Sequence, residues 1–163
     1  MKMLVLGAGL QGSACAYDLL QQADVTEVRL ADKSVDHLPE FLRPYVGGRL
    51  KPMTLDVTDK PATLKVMDGV TSVMCAVPYY FNLPLAEAAI ESGAHFSDLG
   101  GNTEIVFQQR KLAAKAKAVG VTVIPDCGLA PGMVNILAQL GISRCDTVQS
   151  AKIFVGGLPQ KPE

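Results

Sequence analysis

The chain has no surplus of either charge. Its 163 residues hold 15 Lys and Arg against 16 Asp and Glu, a net charge of -1. A nucleic-acid or anionic-membrane surface needs a basic excess, so neither partner is expected. No apolar run reaches the roughly 18 residues of a membrane helix. No secretory leader is expected, because Met1-Lys2-Met3 runs directly into an apolar strand. The expected location is therefore cytoplasmic. Cysteine is scarce: Cys15, Cys75, Cys127 and Cys145 lack C-x-x-C spacing and sit mostly in apolar runs. That argues against a zinc site or a disulfide framework and predicts free, buried thiols, with no metal. Only two histidines occur. His37 lies in an irregular polar stretch and reads as solvated. His95 opens a strand and reads as a partly buried structural residue.

What is present is ordinary for one α/β domain. Apolar residues make up 48% and charged residues 19%, at a length that can bury one real core. Periodicity alternates regularly. Strands are predicted at Met3–Leu6, Val25–Ala31, Lys51–Asp56, Val70–Ala76, His95–Asp98 and Val121–Pro125. Helices are predicted at Gln11–Gln21, from Asp59 and Pro61, at Leu83–Ser92, at Thr103–Val119 with Thr103 as cap, and at Pro131–Leu140. A weaker helix is expected around Val35–Leu42, and a last strand at Thr147–Val155. Strand and helix in strict alternation predict a Rossmann architecture, a doubly wound parallel sheet of about six strands.

The first strand ends in Gly7-Ala8-Gly9-Leu10-Gln11-Gly12. In this pattern Gly7 permits the tight turn, Gly9 lets backbone approach a pyrophosphate, and Gly12 lets the helix pack on the strand. The helix start aims unpaired N–H groups and a positive dipole end at the phosphates. G-x-G-x-x-G alone is a weak signal. Here it follows a strand, opens a helix, and has Asp32 twenty positions after Gly12, at the end of the second strand. Together these predict a dinucleotide site. A carboxylate at Asp32 accepts ribose hydroxyls and repels a 2′-phosphate, which favours NAD over NADP. The neighbouring Lys33 pulls the other way, since a lysine offsets phosphate charge.

Ligands of such sheets lie beyond the carboxyl ends of the strands. The loop after the third strand, Asp56-Val57-Thr58-Asp59, is expected beside the adenine. The loop after the fourth, Ala76-Val77-Pro78-Tyr79-Tyr80, is expected beside the nicotinamide ribose. The expected cofactor contacts are therefore Gly7, Gly9, Leu10, Gln11, Gly12, Asp32, Lys33, Asp56, Val57, Ala76, Val77 and Pro78. The loops after the fifth and sixth strands, Asp98-Leu99-Gly100-Gly101-Asn102 and Asp126 to Gly132, each lead into a helix. Either helix start suits a substrate carboxylate, or the loop is simply a tight turn. Tyr79, Asp98 and Asp126 stand nearby, and Asp98 and Asp126 suit either a substrate ammonium or a turn cap. No catalytic residue is assigned.

The same loops carry a family resemblance. The glycine loop, LDVTD (Leu55–Asp59), CAVPYYFN (Cys75–Asn82), AIESGAHFSDLGGNTEIV (Ala89–Val106) and PDCGLAPGMVNILA (Pro125–Ala138) resemble the N-terminal cofactor domain of the saccharopine dehydrogenase and lysine 6-dehydrogenase family. So does Val155-Gly156-Gly157-Leu158-Pro159. The resemblance implies hydride transfer between a nicotinamide and a carbon bearing an amine. The substrate is then a small amino acid, either free lysine or a secondary amine joining two amino acids; SDLGGN with PDCGLAPG looks more like the lysine branch. The family has a second domain that supplies much of the substrate pocket. On this reading residues 1–146 are the dinucleotide-binding domain and residues 147–163 start a crossover into an absent substrate domain. The chain is then expected to be a fragment that binds cofactor with little turnover, and a homo-oligomer is open. The alternatives are a non-catalytic, NAD-sensing regulatory Rossmann module of the potassium-channel type and a carboxynorspermidine-type dehydrogenase.

Overall fold

The computed structural model describes residues 1–156; Gly157-Leu158-Pro159 of the terminal run falls outside them. Six strands form one parallel sheet: β1 (Lys2–Leu6), β2 (Glu27–Asp32), β3 (Leu50–Thr54), β4 (Ser72–Cys75), β5 (His95–Asp98) and β6 (Val123–Ile124). Their spatial order is β3-β2-β1-β4-β5-β6. This is the doubly wound Rossmann order, with its reversal between β1 and β4. The helices are α1 (Leu10–Gln21), α2 (Lys60–Met67), α3 (Asn82–Glu91), α4 (Thr103–Arg110), α5 (Ala113–Val119) and α6 (Met133–Ile142).

The strand sequences explain the layering. β1 is apolar from Met3 to Leu6 because both faces of a parallel sheet are covered. Leu4 and Leu6 point into one core with Met67, Val73, Leu85, Ala89 and Phe96, beneath α2, α3 and α5. Val5, between them, points into the other with Ala16, Leu20, Val28, Leu30 and Leu50, beneath α1. The start of α2 follows the expected chemistry: Asp59 caps it by accepting from the Ala62 N–H at 3.0 Å, and Pro61 sits in its first turn.

Several expectations are corrected. The weak helix expected at Val35–Leu42 is a 3-10 segment at Glu40–Tyr45; Pro44 lies inside it and Leu42 turns into the core. The long helix expected over Thr103–Val119 is two helices, joined where Lys111 and Leu112 bond back three residues to Gln108 and Gln109. Its cap is Asn102, whose side chain accepts from the Ile105 N–H at 3.1 Å, not Thr103. No strand forms at Thr147–Val155: the segment is irregular and exposed. His95 is exposed, and its Nδ1 accepts from the Thr122 N–H at 3.0 Å. Of the four free thiols only Cys75 is fully buried; Cys127 and Cys145 are exposed. Among the described residues no cluster of metal-ligating side chains occurs. No helix there is long and apolar enough to cross a membrane.

Candidate functional site

The site lies at the carboxyl end of β1, where the strand order reverses. Gly7 takes φ +99°, and its N–H donates to the Ala31 carbonyl at 2.8 Å. A Cβ on Gly7 would stand 2.8 Å from the Ala76 carbonyl oxygen, and one on Gly12 would stand 1.8 Å from the Gly7 oxygen. The turn therefore closes only with glycine at both positions. It also brings Ala76 and Val77, from the end of β4, against the β1 turn. Pro78 then leads into a 3-10 turn at Tyr79–Phe81.

Gly9 behaves differently. Its backbone is extended, at φ -69°, ψ -170°, and a Cβ there would meet nothing within 4 Å. No side chain caps α1, and its first internal bond is from the Ser13 N–H to the Gly9 oxygen at 2.9 Å. The N–H groups of Leu10, Gln11 and Gly12 thus have no acceptor within the helix. The Leu10 and Gln11 side chains are exposed, so these two residues offer the site their backbone. Open donors beside a residue without a side chain form a cradle for an anionic pyrophosphate. The residues present fit a dinucleotide.

Asp32 stands beside this cradle. The Ala8 N–H donates to Asp32 Oδ2 at 2.6 Å, while Oδ1 receives only a long bond, 3.4 Å, from the Ser34 N–H. A carboxylate has about four acceptor positions, so Asp32 retains room for a ribose diol. Lys33 turns to Asp56, with Nζ 3.2 Å from Oδ2 and both side chains exposed. The Thr58 N–H and hydroxyl donate to Asp56 Oδ1 at 2.9 and 2.7 Å. These bonds, with Lys33 beside them, hold the Asp56 carboxyl down at about 2. The ends of β2 and β3 are thereby tied together, on the side where the sequence places the adenine. Val57 is half-buried against the core behind Thr58 and offers that side packing more than contact.

On the opposite side the loops after β5 and β6 are built around one carboxylate. Asp98 is fully buried. Its Oδ1 accepts from the Gly100 N–H at 2.7 Å and the Asp126 N–H at 3.1 Å; its Oδ2 accepts from Gln109 Nε2 at 2.7 Å. Asp98 is therefore a turn cap, and its place in the core keeps it from a substrate ammonium. Asp126 holds φ +65°, unusual for a residue with a side chain. Its carboxylate lies over Gly100, where a Cβ would stand 1.6 Å from Oδ1. Tyr79 packs on Gly101, tying the loop after β4 to the loop after β5. A cavity of about 380 Å³ opens here, lined among others by Gly101, Asn102, Asp126, Leu129 and Pro131.

Sequence reasoning missed three of these relationships. The Lys33–Asp56 pair joins two loops 23 residues apart. Gln109 lies inside a helix, and nothing in the sequence pairs it with Asp98. Buried Asn82 accepts from the Cys75 thiol at 3.3 Å, an unusual place for an amide. The Gly100-Gly101 pair after Asp98 was the available signal for a crowded loop.

Comparison with known proteins fits this geometry. The family model described as the saccharopine dehydrogenase NADP binding domain matches residues 3–124. The chain is 27% identical over 164 residues to mouse mitochondrial alpha-aminoadipic semialdehyde synthase, covering 97% of this chain and 17% of that protein. It is 27% identical over 161 residues to the saccharopine dehydrogenase [NADP(+), L-glutamate-forming] of Saccharomyces cerevisiae, covering 96% and 34%. A carboxyaminopropylagmatine dehydrogenase of Synechocystis is 24% identical over 150 residues, covering 86% and 37%. The chain thus spans about a third or less of the first two relatives' length. Among solved structures, the yeast L-Glu-forming saccharopine dehydrogenase aligns with a TM-score of 0.70 at 26% identity, covering 88% of this chain and 31% of that one. A probable dehydrogenase from Thermotoga maritima shares the fold, with a TM-score of 0.62 at 16% identity, covering 88% and 39%.

Proposed function

The chain belongs to the saccharopine dehydrogenase NADP-binding domain family, and from that membership we propose that it is the cofactor-holding part of an oxidoreductase acting on the C–N bond of an amino acid. The observation that carries this is the uncapped start of α1, with three N–H donors open beside Gly9. When bound, the nicotinamide accepts or returns a hydride. The chain's own groups do the rest. The α1 N-terminus holds the pyrophosphate, Asp32 takes the adenosine ribose, and the Ala76-Val77-Pro78 backbone lines the nicotinamide side. The cavity under Asp126 and Gly101 receives the carbon that bears the amine. Removal of a hydride from that carbon leaves an iminium, which water opens to a carbonyl and a free amine. Positioning is the larger part of this chemistry, since the hydride needs alignment more than a proton relay.

Two finer readings follow. Asp32 keeps acceptor capacity for a diol, and Lys33 is engaged by Asp56; both support NAD over NADP. The relatives named for saccharopine and for aminoadipic semialdehyde support a secondary amine joining two amino acids over free lysine. The test is fluorescence titration of the chain with NADH and NADPH, followed by amine-dependent NADH formation by the protein as it occurs in the cell. Binding of NADH ahead of NADPH, with turnover of a secondary amine, is the expected result. Tighter NADPH binding overturns the cofactor preference. Tight binding with no turnover of any amine favours the regulatory module.

A further inference from the structure

β2 and β3 end together. Their register pairs Asp32 with Thr54, and the Leu55 N–H donates to the Asp32 carbonyl at 2.8 Å. Lys33 and Asp56 therefore leave the sheet side by side, next to the proposed ribose acceptor. A 2′-phosphate on that ribose would arrive at this corner. The groups able to receive it are Lys33 and Ser34, the two residues after Asp32; Lys33 is the only lysine or arginine between Arg29 and Arg43. Both are already taken by carboxylates. Lys33 Nζ lies 3.2 Å from Asp56 Oδ2, and Ser34 Oγ donates to Asp36 Oδ2 at 2.9 Å. Asp56 is itself fixed. The Thr58 N–H and hydroxyl occupy its Oδ1 and leave Oδ2 to Lys33. An exposed ion pair is normally weak, in part because two long side chains must be held still. Here one partner is held in advance, so only the lysine loses freedom.

We propose that Asp56 is a positioning residue for cofactor selection: by holding Lys33 it closes a 2′-phosphate site that the tip of β2 would otherwise offer. This rests on the reading of the α1 start and Asp32 as a dinucleotide site. Asp32 acts on the ribose directly. Asp56 acts at one remove, by setting where the one nearby cation points. The bonds from Thr58 also keep the Asp56 carboxyl at about 2, so at neutral pH the hold on Lys33 is permanent and only substitution releases it.

The test is a double-mutant cycle read as the ratio of NADPH to NADH affinity, by fluorescence titration of the chain. The two nucleotides share an adenine, so loss of an adenine contact cancels in the ratio. Asp56→Asn keeps an oxygen for the Thr58 donors and removes the charge that holds Lys33. It is expected to move the ratio about fivefold toward NADPH, the scale of one exposed ion pair. Asp56→Ser, whose hydroxyl still accepts from the Thr58 N–H, is expected to do the same and guards against a fold defect in either variant. In a Lys33→Met background, Asp56→Asn is expected to leave the ratio where Lys33→Met alone puts it. A ratio unmoved by both Asp56 substitutions, with NADH still bound, overturns the proposal. An equal shift in the two backgrounds overturns it as well, because Asp56 then acts by its own charge and not through Lys33. A parent chain that binds neither nucleotide overturns the dinucleotide reading, and the proposal with it.

Discussion

The backbone N–H of Ala8 and the carboxylate of Asp32 are joined at 2.6 Å. The bond links the turn that follows β1 to the tip of β2, so the α1 start and Asp32, the two groups proposed to hold the pyrophosphate and the ribose, are tied into one unit. A carboxylate bonded to backbone N–H is also a fixed charge, and a fixed charge discriminates against a second phosphate without any movement.

Asp32→Asn keeps the shape and removes the charge. NADH affinity is expected to fall about tenfold, roughly 1.4 kcal/mol, on loss of a charge-assisted bond. NADPH affinity is expected to hold or rise, since the repulsion is gone. Parallel titrations of the variant with both nucleotides check the ratio. An unchanged ratio removes Asp32 from cofactor selection.

Two glycine substitutions separate folding from binding. Gly12→Ala drives a methyl to 1.8 Å from the Gly7 oxygen, so the strand–helix packing must open. We expect destabilisation of at least about 2 kcal/mol in urea unfolding, as overpacking of a close contact costs. Gly9→Ala meets nothing within 4 Å and keeps an allowed backbone. Its Tm should stay close to that of the parent while NADH affinity falls, because the added methyl stands where the pyrophosphate approaches.

Asp98 offers a sharper test of its wiring. Asp98→Ala strands the Gly100 and Asp126 N–H groups and the Gln109 amide, and should cost about 3 kcal/mol or more. Asp98→Asn should cost much less. Gln109 Oε1 is buried with no partner; a flip of the Gln109 amide would present that oxygen to the new Asn N–H. Chemical denaturation of the two variants distinguishes them, and equal losses would sink this account.

Cys75 sets an alkaline limit. Burial pushes its thiol up to about 12, against an ordinary value of 9.0. Between those values the unfolded chain releases the proton while the folded chain retains it. The stability associated with the neutral thiol is therefore fully present below pH 9 and is lost as pH rises toward 12. Cys75→Ala should flatten this part of the stability curve. Alkylation at pH 8 followed by mass spectrometry should label Cys127 and Cys145 while sparing Cys75.

By itself the sequence determined the alternation, the strand count, the parallel sheet and the cofactor loop. These features are local: apolar periodicity, the Gly7–Gly12 turn and an acid at the end of the next strand are written within some thirty residues, and short-range sterics enforce them. Even the dinucleotide class follows, since the glycine turn comes with the strand before it, the helix after it and Asp32 at the end of the next strand. Tertiary structure alone decided the rest. It made Asp98 a buried hub rather than a substrate ligand, because Gln109 reaches it only once α4 folds back over the end of β5, and Asp126 only once β6 lies beside β5. It turned Lys33 toward Asp56, because β2 and β3 end at the same height. It also left Thr147–Val155 irregular rather than a strand. Long-range contacts of this kind depend on which elements the fold brings together, and no local pattern records them.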